Sequence, residues 1–174
     1  MKNIKLLAYL PFLPLAILII AIRPFKILRF HEILSDRIGH FGCIIELYLC
    51  EWYLNYKKKK NFQFIDYFCF SKNVCNLQIK KFWQKQLVIL PTRFVVALIF
   101  WFEILPSGHK HLVFHSDDKI KNWNNFRHKD VKNLIDKSKT HFNFSNEEKY
   151  ENKKILNKLG IDENRKIALI FLRD

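Results

Sequence analysis

An α/β fold, with a parallel sheet and crossover helices, is what the order of apolar segments predicts. Strand-like and helix-like stretches alternate along the chain. A polar, glycine-containing loop, Ser35-Asp36-Arg37-Ile38-Gly39-His40, falls between a short apolar run at 25–30 and an amphipathic helix. After Lys166, residues 167–172 are apolar without alternation, the pattern of a strand buried on both faces of a parallel sheet.

Taken in order, residues 6–22 are nearly all apolar, flanked by Lys2 and Lys5 on one side and by Arg23, Lys26 and Arg29 on the other. As a helix this stretch reaches roughly 25 Å, short of the ~30 Å hydrocarbon core, and Pro11 and Pro14 interrupt it. No Ala-x-Ala-like cleavage site follows. The reading is an apolar membrane-associating segment over 1–23, either an uncleaved anchor or a half-inserted hairpin, against a helix that packs on its own domain. The heavier basic flank lies on its C-terminal side, which keeps the rest of the chain cytoplasmic.

The run 25–30 is the first predicted strand. Ile44, Ile45, Leu47, Tyr48, Leu49 and Trp52 then cover one broad helical face. In such a unit the helix N-terminus directs unpaired N–H groups and partial positive charge to the space above the strand end. Residues 61–70 form a second strand candidate, and Val74, Leu77, Ile79, Phe82 and Trp83 suit a helix over 74–85. Residues 87–91 read as a strand ending at proline, and the apolar run to Leu105 as a core helix rather than a membrane element, because an arginine at 93 is costly in lipid. A short extended piece at 111–115 and a polar loop over 122–141, with a helical turn near 131–135, follow. Ser145 opens a helix through a capping signature with Glu148, and Gly160 stops it. The domain reading is therefore 1–23 followed by one lobe over 24–174.

Composition bounds the function. With 49% hydrophobic and 26% charged residues, the 174-residue chain is globular in balance and can bury one ordinary core. A net charge of +14 asks for anionic partners. Nucleic acid is the weakest of these: zinc-finger spacing, RNA-binding aromatic signatures and a helix-turn-helix are lacking, and the lysines are spread along the chain. The run Lys57 to Lys60 reads as a solvated helix end or a contact for anionic lipid. Four glycines form neither a Walker nor a dinucleotide fingerprint, and no Gly-x-Ser-x-Gly elbow supports a hydrolase.

Metal and disulfide chemistry find little support in the spacing. Cys43 and Cys50, and Cys69 and Cys75, are separated by six and five residues, not by the two to four of zinc sites. They read as reduced, buried thiols. His111 and His115 would share a helix face, but the stretch is strand- or loop-like.

Arg37-Ile38-Gly39-His40, then Glu46-Leu47-Tyr48-Leu49-Cys50-Glu51, then Ser145, Glu147 and Glu148 ahead of Ile155, Leu156, Leu159 and Gly160, and finally a strand-like run ending Arg173-Asp174, resemble in order and spacing a family of bacterial glycosyltransferases of surface-polysaccharide loci. The resemblance covers most of the chain. It implies the Rossmann-like N-terminal lobe of a two-lobed, GT-B-like enzyme, preceded by the apolar N-terminal helix, with a second lobe beyond Asp174. It also implies transfer of a sugar from a nucleotide sugar to a glycan or lipid-linked acceptor at the cytoplasmic face of the bacterial inner membrane, beside an anionic membrane surface.

Such transfer requires cations or N–H dipoles on the departing diphosphate and a base near the acceptor hydroxyl. The family manages without a metal, since positive side chains replace it, so neither a metal nor another cofactor is expected. On this reading Arg37, Gly39 and Arg173 bind substrate, with Arg173 bridging donor phosphate. His40 is the base candidate, imidazole being the side chain that ordinarily titrates near neutrality, and Asp174 orients it or meets the acceptor. Arg37 could instead brace the loop through Asp36 or Glu46, and Glu46 and Glu51 read as structural or solvated. Two other readings stand beside this one: a non-catalytic membrane-associated binding module and an inactive truncated fragment.

Overall fold

The computed structural model describes residues 7–55, 64–113, 130, 133–139, 141–142 and 144–161. The chain divides into two compact units, 1–141 and 142–174. The first is a mixed α/β unit built on a two-stranded parallel sheet with flanking helices.

Strand β1 (Ile27–Ile33) pairs in parallel with β2 (Phe64–Phe70), in register from Ile27 against Phe64 to Ile33 against Phe70. The aromatic and β-branched residues that fill both strands suit a pleated, buried surface. Two more segments join through one parallel bridge each, Ile89 to Phe68 and Leu112 to Phe30. Phe68 N–H donates to the Val88 carbonyl at 2.9 Å, Leu90 N–H to Phe68 at 2.8 Å, and Val113 N–H to Phe30 at 3.2 Å. Across the sheet the order is therefore Leu112, β1, β2, Ile89: fourth, first, second and third along the chain.

The helices alternate with these segments. A 3-10 turn (Leu10–Phe12) leads into α1 (Leu13–Ala21), and α2 (Ile38–Asn55) joins β1 to β2. Next, α3 (Leu77–Gln86) precedes Ile89, and α4 (Thr92–Ile104) with a 3-10 turn (Gly108–His111) carries the chain back to Leu112. A single turn, α5 (Leu134–Lys137), completes the described part of this unit. The second unit contains α6 (Asn146–Lys158).

Alternate strand residues face opposite sides. Phe68 and Phe70 meet α2, with the Tyr48 ring 5.2 Å from Phe68 and the Phe41 ring 5.8 Å from Phe70. Buried Trp83 fastens α3 to the same face by donating its indole N–H to the Phe41 carbonyl at 2.8 Å. On the other face Phe30 and Cys69 pack with Val95, Leu98, Trp101 and Phe102 of α4 and with Ala16 and Ile19 of α1. Each fully buried large side chain contributes roughly 1.5–3 kcal/mol by leaving water. Arg29 and Asp66, partners in register, form a two-pronged ion pair with both N···O distances at 2.6 Å. Tyr48 donates to the same carboxylate at 2.5 Å, and the guanidinium lies 3.7 Å over the Phe64 ring.

Boundaries differ from the sequence expectations for identifiable reasons. Phe25 belongs to the turn that ends α1, its N–H bonded to the Ile22 carbonyl at 3.0 Å and its side chain 88% exposed, whereas His31 to Ile33 continue the ladder. The helix after β1 begins at Ile38, so the loop is only residues 34–37, and Gly39 and His40 sit in the first helical turn. The helix expected from residue 74 starts at Leu77, because the Asn76 side chain accepts the N–H groups of Gln78 and Ile79. Residues 87–91 are extended and 92–104 are a core helix, as expected.

In the apolar N-terminal stretch, Pro11 and Pro14 fall in the first positions of the turn and of α1, where no backbone N–H is needed. No helix among the described residues is long and apolar enough to cross a membrane. In the expected extended piece at 111–115, His111 ends a 3-10 turn and only Leu112 bridges, while 114 and 115 lie outside the described residues. The helical turn expected near 131–135 is at Leu134–Lys137. Ser145 and Glu148 form the capping box, and Gly160 ends that helix at φ +70°. The lysine run 57–60, the strand candidate 166–172, Arg173 and Asp174 lie outside the described residues.

Candidate functional site

The carboxyl ends of β1 and β2 share one rim, since Ile33 and Phe70 are register partners. The loop 34–37 leads from that rim into α2, and 71–76 into α3. Fully buried Ser35 ties the two loops together. Its N–H donates to the Ser71 hydroxyl at 3.1 Å, its own hydroxyl lies 2.8 Å from that of Ser71, and it donates to the Asn73 carbonyl at 2.8 Å. Ser71 N–H in turn donates to Ile33, and Cys75 N–H to Ser35.

With Ser35 fixed below, Asp36, Arg37 and Gly39 face outward and His40 is half-buried. Three of the five sequence-predicted site residues, Arg37, Gly39 and His40, are thus brought together at the start of α2; Arg173 and Asp174 lie outside the described residues. The Arg37 side chain is 73% exposed, and its 3.9 Å approach to Asp36 is a surface pair of little energetic weight. No described atom lies within 4 Å of where a Gly39 Cβ would stand, and its φ is outside the left-handed region, so neither space nor backbone strain demands glycine there. The first N–H groups of a helix have no acceptor within it, and α2 begins at this rim.

Glu32 was missed by sequence reasoning. It lies one residue before the end of β1, on the same rim, and burial pushes its carboxyl above the ordinary value, with the negative charge of Asp36 adding to the effect. Its register partner Cys69 is pushed up to about 12 by burial and then by Glu32. An acid that holds its proton unusually tightly on a sheet's carboxyl rim is a functional-site signal. Its trace in the sequence was a charge one residue from the end of β1, next to His31.

The opposite rim carries a cavity of about 340 Å³. Tyr48, Trp52, Phe64, Asp66, Leu87 and Val88 help line it, at the amino ends of the strands. Arg37, Gly39 and His40 are not among the residues that line it.

A second group of polar side chains lies beside the middle of α2. Glu46 Oε1 accepts the backbone N–H of His141 at 2.7 Å and lies 3.3 Å from His141 Nδ1. Cys50 Sγ is 3.9 Å from each of these two side-chain atoms. These residues have the chemistry to hold a metal ion. Burial raises the Cys50 thiol, a hydrogen bond with Ser138 lowers it, and Glu46 and Asp130 raise it again. Cys43 is raised by burial, then by Asp130 and Glu46. Cys43, Glu46 and Cys50 stand at i, i+3 and i+7, a one-face helical pattern visible in the sequence; the fold, not the spacing, adds His141.

His111 is fully buried, its ring stacked on Phe102 with centroids 5.0 Å apart and its Nδ1–H donating to the Leu28 carbonyl at 2.7 Å. Burial lowers its pKa below the ordinary value, against the Leu28 bond that raises it. It is a core residue. Of the cysteines, Cys50 and Cys69 are buried as expected, Cys43 is half-buried and Cys75 is exposed, and all four are free thiols. Comparison with family models, curated proteins and solved structures returns no match to this chain.

Proposed function

We propose that this chain carries the Rossmann-like lobe of a two-lobed glycosyltransferase, which moves a sugar from a nucleotide-sugar donor to a cell-surface glycan or lipid-linked acceptor. The observation that carries the reading is the reversal of strand order beside β1. From β1 the chain steps outward to β2 and Ile89 with α2 and α3 on one face, then returns with α4 on the other face to lay Leu112 against Phe30. In open α/β sheets ligands bind outside the carboxyl ends of the strands at such a reversal. Loop 34–37 and the N-terminus of α2 follow directly from β1 at that edge.

In this reading Arg37 and the α2 N–H groups meet the donor diphosphate, Gly39 leaves room for it, and His40 takes the proton from the acceptor hydroxyl. Glu32 is a second group on the rim able to exchange a proton. Arg173 and Asp174 keep the roles the resemblance gives them. Exposed Leu7, Leu10, Ile17 and Leu18, followed along the chain by Arg23 and Lys26, suit shallow contact with an anionic membrane surface at the cytoplasmic face.

The test is an amide NMR titration of the chain with UDP-N-acetylglucosamine, GDP-mannose and inorganic pyrophosphate. Shifts are expected at residues 35–41, lost in Arg37→Ala and weakened in His40→Ala. Silence from all three ligands, or shifts confined to Trp52, Phe64 and Val88 on the opposite rim, overturns the reading.

A further inference from the structure

Beside α2, donors from two distant parts of the chain converge on one point, away from the rim just discussed. We propose that Glu46, Cys50 and His141 bind a divalent transition-metal ion of the zinc class, which clamps His141 and the turn α5 against α2.

The distances carry the proposal. Around a tetrahedral zinc ion, bonds of 2.0–2.3 Å set neighbouring ligand atoms roughly 3.3–3.8 Å apart. Here the three separations are 3.3, 3.9 and 3.9 Å, one inside that range and two just beyond it, so a small inward shift of the Cys50 side chain completes the spacing. Glu46 and Cys50 are one helical turn apart on α2, which sets both side chains on the same face.

His141 is positioned from both sides. Its backbone N–H is held by Glu46 and its carbonyl accepts from the Gln86 side chain at 2.7 Å, while the Tyr53 ring packs edge-on at 6.0 Å. Tyr53 is three residues beyond Cys50 on the same helix. Nδ1 is thus presented without further ordering, which is what a preorganised ligand requires.

The second observation is an orphan. Glu46 Oε2 is buried and has no hydrogen-bond partner among the described residues. A buried acceptor left unpaired is costly, and a cation shared by both oxygens of this carboxylate, Oε1 supplying the distances above, satisfies it. The donor set also selects the ion: thiolate with imidazole favours zinc, cobalt and their neighbours over magnesium or calcium. Three protein donors leave the fourth tetrahedral position to water.

Asp130 accepts the N–H groups of Leu134 and Ile135 at 2.6 and 2.8 Å and so organises α5, the turn between it and His141. Six residues of α2, a rise of about 9 Å, separate His40 from Glu46, so the clamp is independent of the sugar-transfer reading.

The full chain, prepared without a polyhistidine tag, is titrated with Co²⁺. A near-ultraviolet thiolate-to-cobalt charge-transfer band with a one-to-one end point is expected, together with the visible bands of tetrahedral cobalt, all displaced by Zn²⁺. Cys50→Ser should abolish the near-ultraviolet band, His141→Gln should weaken binding at least tenfold, and Cys75→Ser should leave both unchanged. Zn²⁺ should raise the melting temperature of the unaltered chain, and chelation should reverse the rise; this reading stands even where Cys50→Ser does not fold. Absence of the band in the unaltered chain, or its survival in folded Cys50→Ser, overturns the proposal.

Discussion

Glu32 occupies a position where ionisation opposes folding. Its ordinary carboxyl value of 4.5 is raised in the folded chain, first by burial and then by Asp36. The folded state therefore binds the proton more tightly than the unfolded state. The resulting stabilisation is fully present below about pH 4.5 and is lost as pH rises through the folded value. Glu32→Gln removes that dependence, so the variant should melt above the unaltered chain at pH 7, and the difference should shrink to nothing as pH falls towards 4. A lower melting temperature at pH 7 would show that the carboxylate is stabilising and would remove Glu32 from the list of residues kept at a cost to the fold. His111 works in the opposite sense: its lowered value means that stability declines as pH falls below about 6.5.

Pairing of elements depends on a few polar links as well as on apolar area. Arg29 and Asp66 join β1 to β2 at one register position, with side chains only 20% and 6% exposed. Asp66→Ala leaves the guanidinium and the Tyr48 hydroxyl without their shared partner, and is expected to cost about 3 kcal/mol in a denaturant titration. A loss under 1 kcal/mol would mean that the surrounding aromatic packing alone holds the register.

Much at this scale was legible in the sequence, because the signals are local. The apolar spacing of Ile45, Leu49 and Trp52, the Ser145–Glu148 cap and Gly160 each act within a few residues. What was not legible is tertiary. Ser35 is a residue type that commonly caps helices, yet its hydroxyl goes to Ser71 and Asn73, more than thirty residues away. Likewise Glu46 read only as structural or solvated, with no partner named beyond Arg37, because its partner His141 is 95 residues distant. Arg37 and His40 were singled out from the loop's polarity, although the helix begins two residues before His40, and Glu32 fell between the apolar run 25–30 and that loop.

The first unit closes around the return from α4 to β1. Ser107 takes a left-handed conformation, φ 62°, and Gly108 then passes so close to α4 that an added Cβ would lie 2.7 Å from the Phe102 Cα and against its carbonyl. Gly108→Ala should therefore push Leu112 off the edge of β1 and cost about 3 kcal/mol. The same variant should also blunt any pyrophosphate-induced shift at residues 35–41, since that edge forms the crevice of the proposed site. Unchanged stability in Gly108→Ala would mean that the backbone yields there without disturbing Leu112.

That closure has a consequence for synthesis on the ribosome. Phe30 finds one neighbour, Tyr67, thirty-seven residues later, but its other, Leu112, only eighty-two residues later. A nascent polypeptide that has emerged only as far as β2 offers the outer backbone of β1 bare, as a template for another strand. The interval before residue 112 appears is the period of greatest exposure to aggregation and of greatest use for a chaperone.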